Sequence, residues 1–307
     1  MKHKLYNSDK SAPVVSEDPK QVILKHIEKC TDGRVVSRIK RKLSYFHKQI
    51  YIKYLIRNKG VKKLKTRIVT GQELSIVLPD NISASLYLSG YFEDQETKGF
   101  IELIKADTTF IDIGAHIGYY SILSDYVGGP DTKIISIEPT PYTFELLAEN
   151  TKRLHQGIQL NMALHSKPGK MELNDYGIRY MSFNSFEDAR LNIKIQGKKI
   201  SVRVETMDNI VMEFGLKPDL VKIDAESAEI EILKGGHETL LNYKPTLFIE
   251  VGDFENIGVG SSLKIIDFLS AYGYLPYEYK NDFVPHIKHN GAYPSMSLFF
   301  FHEERIK

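Results

Sequence analysis

The chain has 307 residues, 42% hydrophobic and 26% charged, enough to bury the core of one large domain or two small ones. Cys30 is the only cysteine, which excludes an intrachain disulfide and suits a reducing compartment. No apolar run reaches membrane-spanning length, and Met1–Asn7 lacks the apolar centre of a secretory signal, so a cytoplasmic protein is expected.

The net charge of +2 is unevenly spread: thirteen Lys or Arg and no Asp or Glu lie between Arg34 and Arg67, leaving 28 basic against 39 acidic residues elsewhere. Residues 7–20 are polar, carry two prolines and read as an extended lead-in. From Gln21 to about Arg57 the spacing is helical. Val36, Ile39, Leu43, Phe46, Ile50 and Tyr54 form one stripe, with Arg38, Arg41, Lys42, Lys48, Lys53 and Arg57 on other faces. Such a stripe can pack on the body of the protein, pair with a second copy in a homodimer, or lie on an anionic membrane from the cytoplasmic side. Nucleic acid is disfavoured, because no reading module accompanies the charge. The division expected is a basic helical arm over 1–66 and a main domain over 67–307.

The main domain opens with a hairpin, 67–70 and 74–78 around Gly71, and a helix near Gln95 to Ile104. Strand and helix then alternate. Strands are predicted at Thr109–Ile113, Lys133–Ile137, Ile158–Leu164, Leu220–Ile223 and Thr246–Val251. Helices lie between them, one from about Gly118 closed by Gly128-Gly129-Pro130, another with Thr140 as N-cap and Pro141 in its first turn. Pro168-Gly169 turns the chain, and 193–196 with 200–204 reads as a second hairpin. A helix follows Ser261 or Ser262, and Tyr274–Tyr279 and Ser297–Phe301 supply two last strands. This alternation implies a mostly parallel α/β sheet with helices on both faces, whose ligands gather at the carboxyl ends of the strands.

Asp112, Glu138, Leu164, Asp224 and Glu250 fall at those ends. The turn Asp112-Ile113-Gly114-Ala115-His116-Ile117-Gly118 lacks the second glycine of a dinucleotide fingerprint, and His116 there would crowd a pyrophosphate. No P-loop is present. S-adenosylmethionine has no phosphate; Asp112 with the Gly114–Gly118 turn can take its amino acid part. Glu138 can accept both ribose hydroxyls, and Asn161, Met162 and Ala163 can face its adenine.

Six blocks in order carry a resemblance. They are Gly90-Tyr91-Phe92-Glu93, Phe110 to Tyr120, Ile137-Glu138-Pro139, Asn161-Met162-Ala163-Leu164, Glu205-Thr206-Met207-Asp208, and Val221 to Glu229. Over about Gly71 to Phe301 the chain resembles FkbM-type methyltransferases. The resemblance implies a class I Rossmann-like fold with a seven-stranded sheet and a last antiparallel strand, S-adenosylmethionine as cofactor, and transfer to hydroxyls of sugars, glycolipids or polyketides. Two positions depart from the family's habit: His116 stands for Asn and Ser227 for Gly.

A hydroxyl acceptor needs alignment with the methyl–sulfur axis and loss of a proton. Asp224 is the first candidate for base or orienting acceptor and Glu226 the second, with Glu250 in reserve; each can equally be a structural carboxylate. Glu229 reads as a first-turn helix acid. His116, His165, His286 and His289 can titrate near neutrality. Asp224 with Glu226 can also take Mg²⁺, although no dedicated ligand spacing marks a metal site. The leading expectation is a methyltransferase acting on a carbohydrate-like or glycolipid hydroxyl. Nucleic-acid or protein methylation and a non-catalytic scaffold on the same fold are the alternatives.

Overall fold

The computed structural model describes residues 17–31, 35–186, 197–251, 262–287 and 297–306, with backbone alone at 31, 35–43 and 262. Helices α1 (Pro19–Thr31) and α2 (Val35–Arg57) precede a hairpin of β1 (Lys62–Arg67) and β2 (Glu73–Leu78), then α3 (Asn81–Ser89) and α4 (Asp94–Leu103). The alternating core starts with β3 (Thr109–Ile113), α5 (Tyr119–Gly128), β4 (Lys133–Ile137), α6 (Pro141–Thr151) and β5 (Gln156–Leu160). Three strands follow that leave the main sheet, β6 (Ala163–Leu164), β7 (Gly169–Asp175) and β8 (Lys198–Glu205). The chain then runs α7 (Met207–Glu213), β9 (Leu220–Ile223), α8 (Glu229–Lys234), α9 (His237–Tyr243) and β10 (Thr246–Glu250). It closes with α10 (Ser262–Ser270), β11 (Tyr274–Tyr279), β12 (Phe283–Pro285) and β13 (Ser297–His302).

The main sheet has the order β12-β11-β13-β10-β9-β3-β4-β5. Neighbours from β5 to β10 are parallel, and β13 inserts antiparallel between β10 and β11. The sheet has eight strands rather than the expected seven, because three residues of β12 add to the edge against β11.

Side chains alternate across the sheet with period two. Phe110, Ile134, Leu220 and Phe248 pack under α1 to α6, while Ile111, Ile135, Val221 and Ile249 pack under α7 to α10. On the first face one register row is polar in its centre: Ser136 on β4 pairs with Asp112 on β3, Asp112 with Lys222 on β9, and Lys222 with Phe248 on β10. All are buried, and Ser121 Oγ joins the row through Asp112 Oδ2 (2.6 Å) and Ser136 Oγ (2.8 Å).

One sequence expectation is corrected. The stretch 158–164 is not one strand: β5 ends at Leu160 and β6 pairs with β8 in a separate three-stranded sheet, β6-β8-β7. The break is held by Asn161, whose side-chain amide donates to the Glu138 and Pro139 carbonyls and turns the chain under the edge of β4. Strand β8 also pairs antiparallel with β7, from Gly169↔Val204 to Asp175↔Lys198; residues 193–196, expected to form a hairpin with it, lie outside the described residues. The N-terminal helical stretch is described as α1 and α2, with residues 32–34 between them outside the described residues.

The body and the arm are joined. Ile23 and Ile27 of α1 and Ile52 and Leu55 of α2 enter the core cluster, and β1 begins at Lys62, inside the stretch assigned to the arm. Strand β2 is then pinned to the site. Asn150 of α6 accepts the Ser75 N–H (2.7 Å) and donates to the carbonyls of Ser75 (3.0 Å) and Ile117 (2.9 Å). Among the described residues no helix is long and apolar enough to cross a membrane.

Candidate active site

A cavity of about 230 Å³ opens at the carboxyl ends of β3, β4, β9 and β10. Of the residues expected to hold a cofactor, Gly114, His116, Glu138 and Ala163 line it; Asp112, Gly118 and Asn161 do not. Gly114 has φ 75°, and a Cβ built there would lie 1.7 Å from the Asp224 carbonyl oxygen, so only glycine lets the β3 and β9 ends approach this closely. The Gly114 and Ala115 N–H groups both reach the Ile137 carbonyl at 3.0 Å. The His116 N–H donates to Glu138 Oε2 (3.2 Å) and the Thr140 N–H to Glu138 Oε1 (3.0 Å). Burial pushes Glu138 up to about 7. Each of its oxygens keeps a lone pair for a ligand hydroxyl. Ile137, Pro139, Met162 and Leu164 form an apolar wall beside it.

Gly118 instead starts α5 at φ 90° against Leu147 and Thr151. Asp112 lies below the cavity in the polar row, where burial raises it against the pull of Lys222 and Ser121. His116 is kept neutral by burial.

The opposite wall is acidic. Asp224, Glu226 and Glu250 each offer a carboxylate oxygen, all within 4.8 Å of one another, an arrangement that could hold a divalent cation. Lys222 Nζ already engages Asp224 Oδ2 at 2.7 Å. Burial by itself would raise Asp224, but the Lys222 ammonium and hydrogen bonds from Glu250 and Lys222 hold it below its usual range. Glu250 goes the other way: burial and the Asp224 charge push it well up, so Glu250 is the protonated partner of the pair. Among the described residues lining the cavity, five are Asp or Glu and none is Lys or Arg.

The loop from Asp224 to Ala228 is tied by Glu229, which accepts the Ala225 N–H (3.1 Å) and the Ser227 N–H (3.2 Å) at one oxygen. Both departures from the family's residues fall on left-handed backbone, His116 at φ 49° and Ser227 at φ 84°. Asn and Gly are the residues that adopt that region most readily, which accounts for the family's habit. His165 and His286 lie away from the cavity, beside Ser166 Oγ (3.2 Å) and Glu278 Oε1 (2.6 Å). His289 is outside the described residues.

Two site residues escaped assignment from sequence. Glu93 lines the cavity at φ 48°, and its carboxylate does not cap α4; Glu93 Oε2 accepts the Tyr120 hydroxyl at 3.1 Å. Burial, then the Asp224 charge, push it up to about 7. Lys222 sits under Asp224 with its Nζ 5.0 Å from the Tyr120 ring centre, and the surrounding acids keep it protonated despite burial. A lone cation inside the apolar strand Leu220–Ile223 was its visible signal. Glu93 had none beyond its place in a recurring block.

The strand order, with one antiparallel strand inserted next to the last parallel one and glycine turning β3 into α5, defines the class I methyltransferase fold. A model described as the methyltransferase FkbM domain matches residues 112–276, more than half of the chain, and the chain belongs to that family. It is 26% identical over 143 residues to the hexuronic acid methyltransferase AglP of Haloferax volcanii, a match covering 44% of this chain and 52% of that protein. The chain thus spans about half the length of that relative. Among solved structures it is similar to the methyltransferase FkbM from Methylobacillus flagellatus (15% identity, 71% of this chain and 52% of that one, TM-score 0.41). It is also similar to the O-methyltransferase TomG from Streptomyces achromogenes (13% identity, 69% and 81%, TM-score 0.39).

Proposed function

We propose that the chain transfers a methyl group from S-adenosylmethionine to a hydroxyl of a carbohydrate-like or glycolipid acceptor. The observation that carries this reading is a single cavity with a glycine turn and a strand-end acid on one wall and a group of carboxylates on the other. When bound, the cofactor supplies a methyl group on a cationic sulfur. Among the described residues five acids and no Lys or Arg line the cavity, and the charge left on Glu226 and on Asp224, the latter offset by Lys222 beneath it, favours that cation over the polyanion that a nucleic-acid methyltransferase would have to admit. The Gly114–His116 backbone and Glu138 would hold the cofactor, with Met162, Ala163 and Leu164 beside its adenine.

On the acceptor side the roles divide by proton affinity. Asp224, tied to Lys222, stays charged and orients the acceptor with Glu226. Glu93 is the better proton acceptor: its value of about 7 matches a base working near neutral pH, and Tyr120 fixes its carboxylate. Alignment and the base together lower the barrier, the base by roughly 10²–10⁴ in rate.

The test begins with calorimetry; absence of S-adenosylmethionine binding at high micromolar concentration overturns the reading. Transfer of labelled methyl to neutral glycosides, hexuronic acid glycosides and lipid-linked saccharides then identifies the acceptor, and failure across carbohydrates with transfer to protein or RNA points elsewhere. With an acceptor in hand and S-adenosylmethionine saturating, so that Glu138, also near 7, is already committed to the cofactor, wild-type turnover should rise through the Glu93 ionisation near pH 7. Glu93→Gln should lose that limb and about 10²–10⁴ in turnover while binding the cofactor as before. An unchanged pH profile removes Glu93 from the role.

A further inference from the structure

Helix α2 carries two apolar faces. Ile52 and Leu55 are buried against the body. Phe46, Ile50 and Tyr54 are spaced by four residues and remain 58%, 48% and 60% exposed, so the stripe marked in the sequence is, over its described part, not the packed one. At about 100° per residue the two faces point roughly opposite ways, and Lys53 and Arg57 fall within the exposed one. The packed face explains why the helix is held. It leaves the outer face without a structural role.

The charge along the segment that carries that face has one sign. Lys53, Arg57, Lys59, Lys62, Lys65 and Arg67 are exposed, and the sequence places no Asp or Glu between Arg34 and Arg67. Among the described residues Lys63, also exposed, pairs with Glu149 at 2.6 Å. A second copy of this chain would bring the same positive charge to a symmetric contact at this face, whereas an anionic bilayer offers both apolar depth and complementary charge. We propose that the outward face of α2, Phe46–Ile50–Tyr54 with Lys53 and Arg57, docks on an anionic lipid surface.

The same end of the helix is bonded to the wall of the cavity. Arg179 donates to the Ile56 carbonyl (2.9 Å) and the Gly60 carbonyl (3.4 Å), and its 3₁₀ turn, Ile178–Phe183, continues to Met181 and Ser182 on the cavity wall. If the methyl-transfer reading holds, a docked protein receives its acceptor from the membrane surface; the docking itself does not depend on that reading.

The experiment is co-flotation of the full chain with vesicles of phosphatidylcholine containing about one third phosphatidylglycerol. Binding should fall about tenfold when salt rises from about 0.1 to about 0.5 M, and should be weak on phosphatidylcholine alone. Phe46→Ser/Ile50→Ser/Tyr54→Ser should lower it about tenfold with unchanged circular dichroism, while Met212→Ser, exposed on α7, should leave it unaltered. Equal binding to neutral vesicles, or full binding by the triple variant, overturns the proposal. So does a wild-type dimer that ignores vesicles and becomes monomeric in the triple variant. Because flotation needs no turnover, this result is separable from failure of methyl transfer.

Discussion

The turn from β3 into α5 and the turn from β9 into α8 both pass through left-handed backbone, but the first places glycine at two of three such positions and the second at none. Gly114, His116 and Gly118 have φ 75°, 49° and 90°; Glu226 and Ser227 have φ 47° and 84°. Glu93, across the cavity, adds a third non-glycine at φ 48° on the acidic side. A side chain in this region costs roughly 1–2 kcal/mol. The β3–α5 turn has mostly shed that cost, while the acidic wall retains it at residues whose side chains face the cavity or adjoin those that do. Strain held this way concentrates where a fixed carboxylate is needed and is offset by surrounding bonds, here those of Glu229 and Tyr120.

The contrast can be broken most severely at Gly114. Gly114→Ala would drive a methyl into the Asp224 carbonyl on forbidden backbone, so loss of detectable cofactor binding or of folding is expected, read by calorimetry and thermal melting. Retained affinity would mean that the two strand ends can separate freely.

A smaller effect is expected at Glu93, without any acceptor. Its folded value of about 7 exceeds the unfolded 4.5, so the folded state holds the proton more tightly, and wild-type stability declines as pH rises from about 4.5 to about 7. Glu93→Gln should therefore match wild type at pH 4 and exceed it by about 3 kcal/mol at pH 8. Denaturant titrations at the two pH values check this. Equal differences at both would show that the carboxylate is not held against its charge.

The smallest expected effect is at Ser227. Ser227→Gly should stabilise the chain by about 1 kcal/mol by relieving the φ of 84°, seen as a rise in Tm. A fall would place the serine side chain among the bonds that hold the loop.

The β3–α5 turn was legible as backbone because its rules are local. Glycine spacing, an apolar run ending in Asp112 and an acid at the end of the next strand can all be read within thirty residues, and β3, β4 and β9 have the predicted bounds. The acidic wall is assembled from distant pieces. Glu93 meets Asp224 across 131 positions of chain, and the Lys222–Asp224–Glu250 group exists only once β9 and β10 lie side by side. Strand pairing has a related limit: β8 pairs with β7, more than twenty residues back along the chain, and alternation alone does not choose between partners. On α2 the period was right and the sequence left open which side meets the body: Ile52 and Leu55 do, while Phe46, Ile50 and Tyr54 stay exposed, and a helix apolar on two sides offers no sequence signal that chooses between them.

Asn150 ties β2 to the carbonyl of Ile117 in the β3–α5 turn, and that bond sets the size of the smallest useful piece of this protein. A fragment trimmed to the matched span, residues 112–276, would keep every glycine of the turn yet lose the hairpin that braces it. It would also lose β13, whose Phe299 stacks on Phe248 at 4.6 Å between ring centres. Truncation libraries and domain swaps built on this family should keep the brace and the stacked ring, and with them α1 and α2, whose Ile23, Ile27, Ile52 and Leu55 enter the same core.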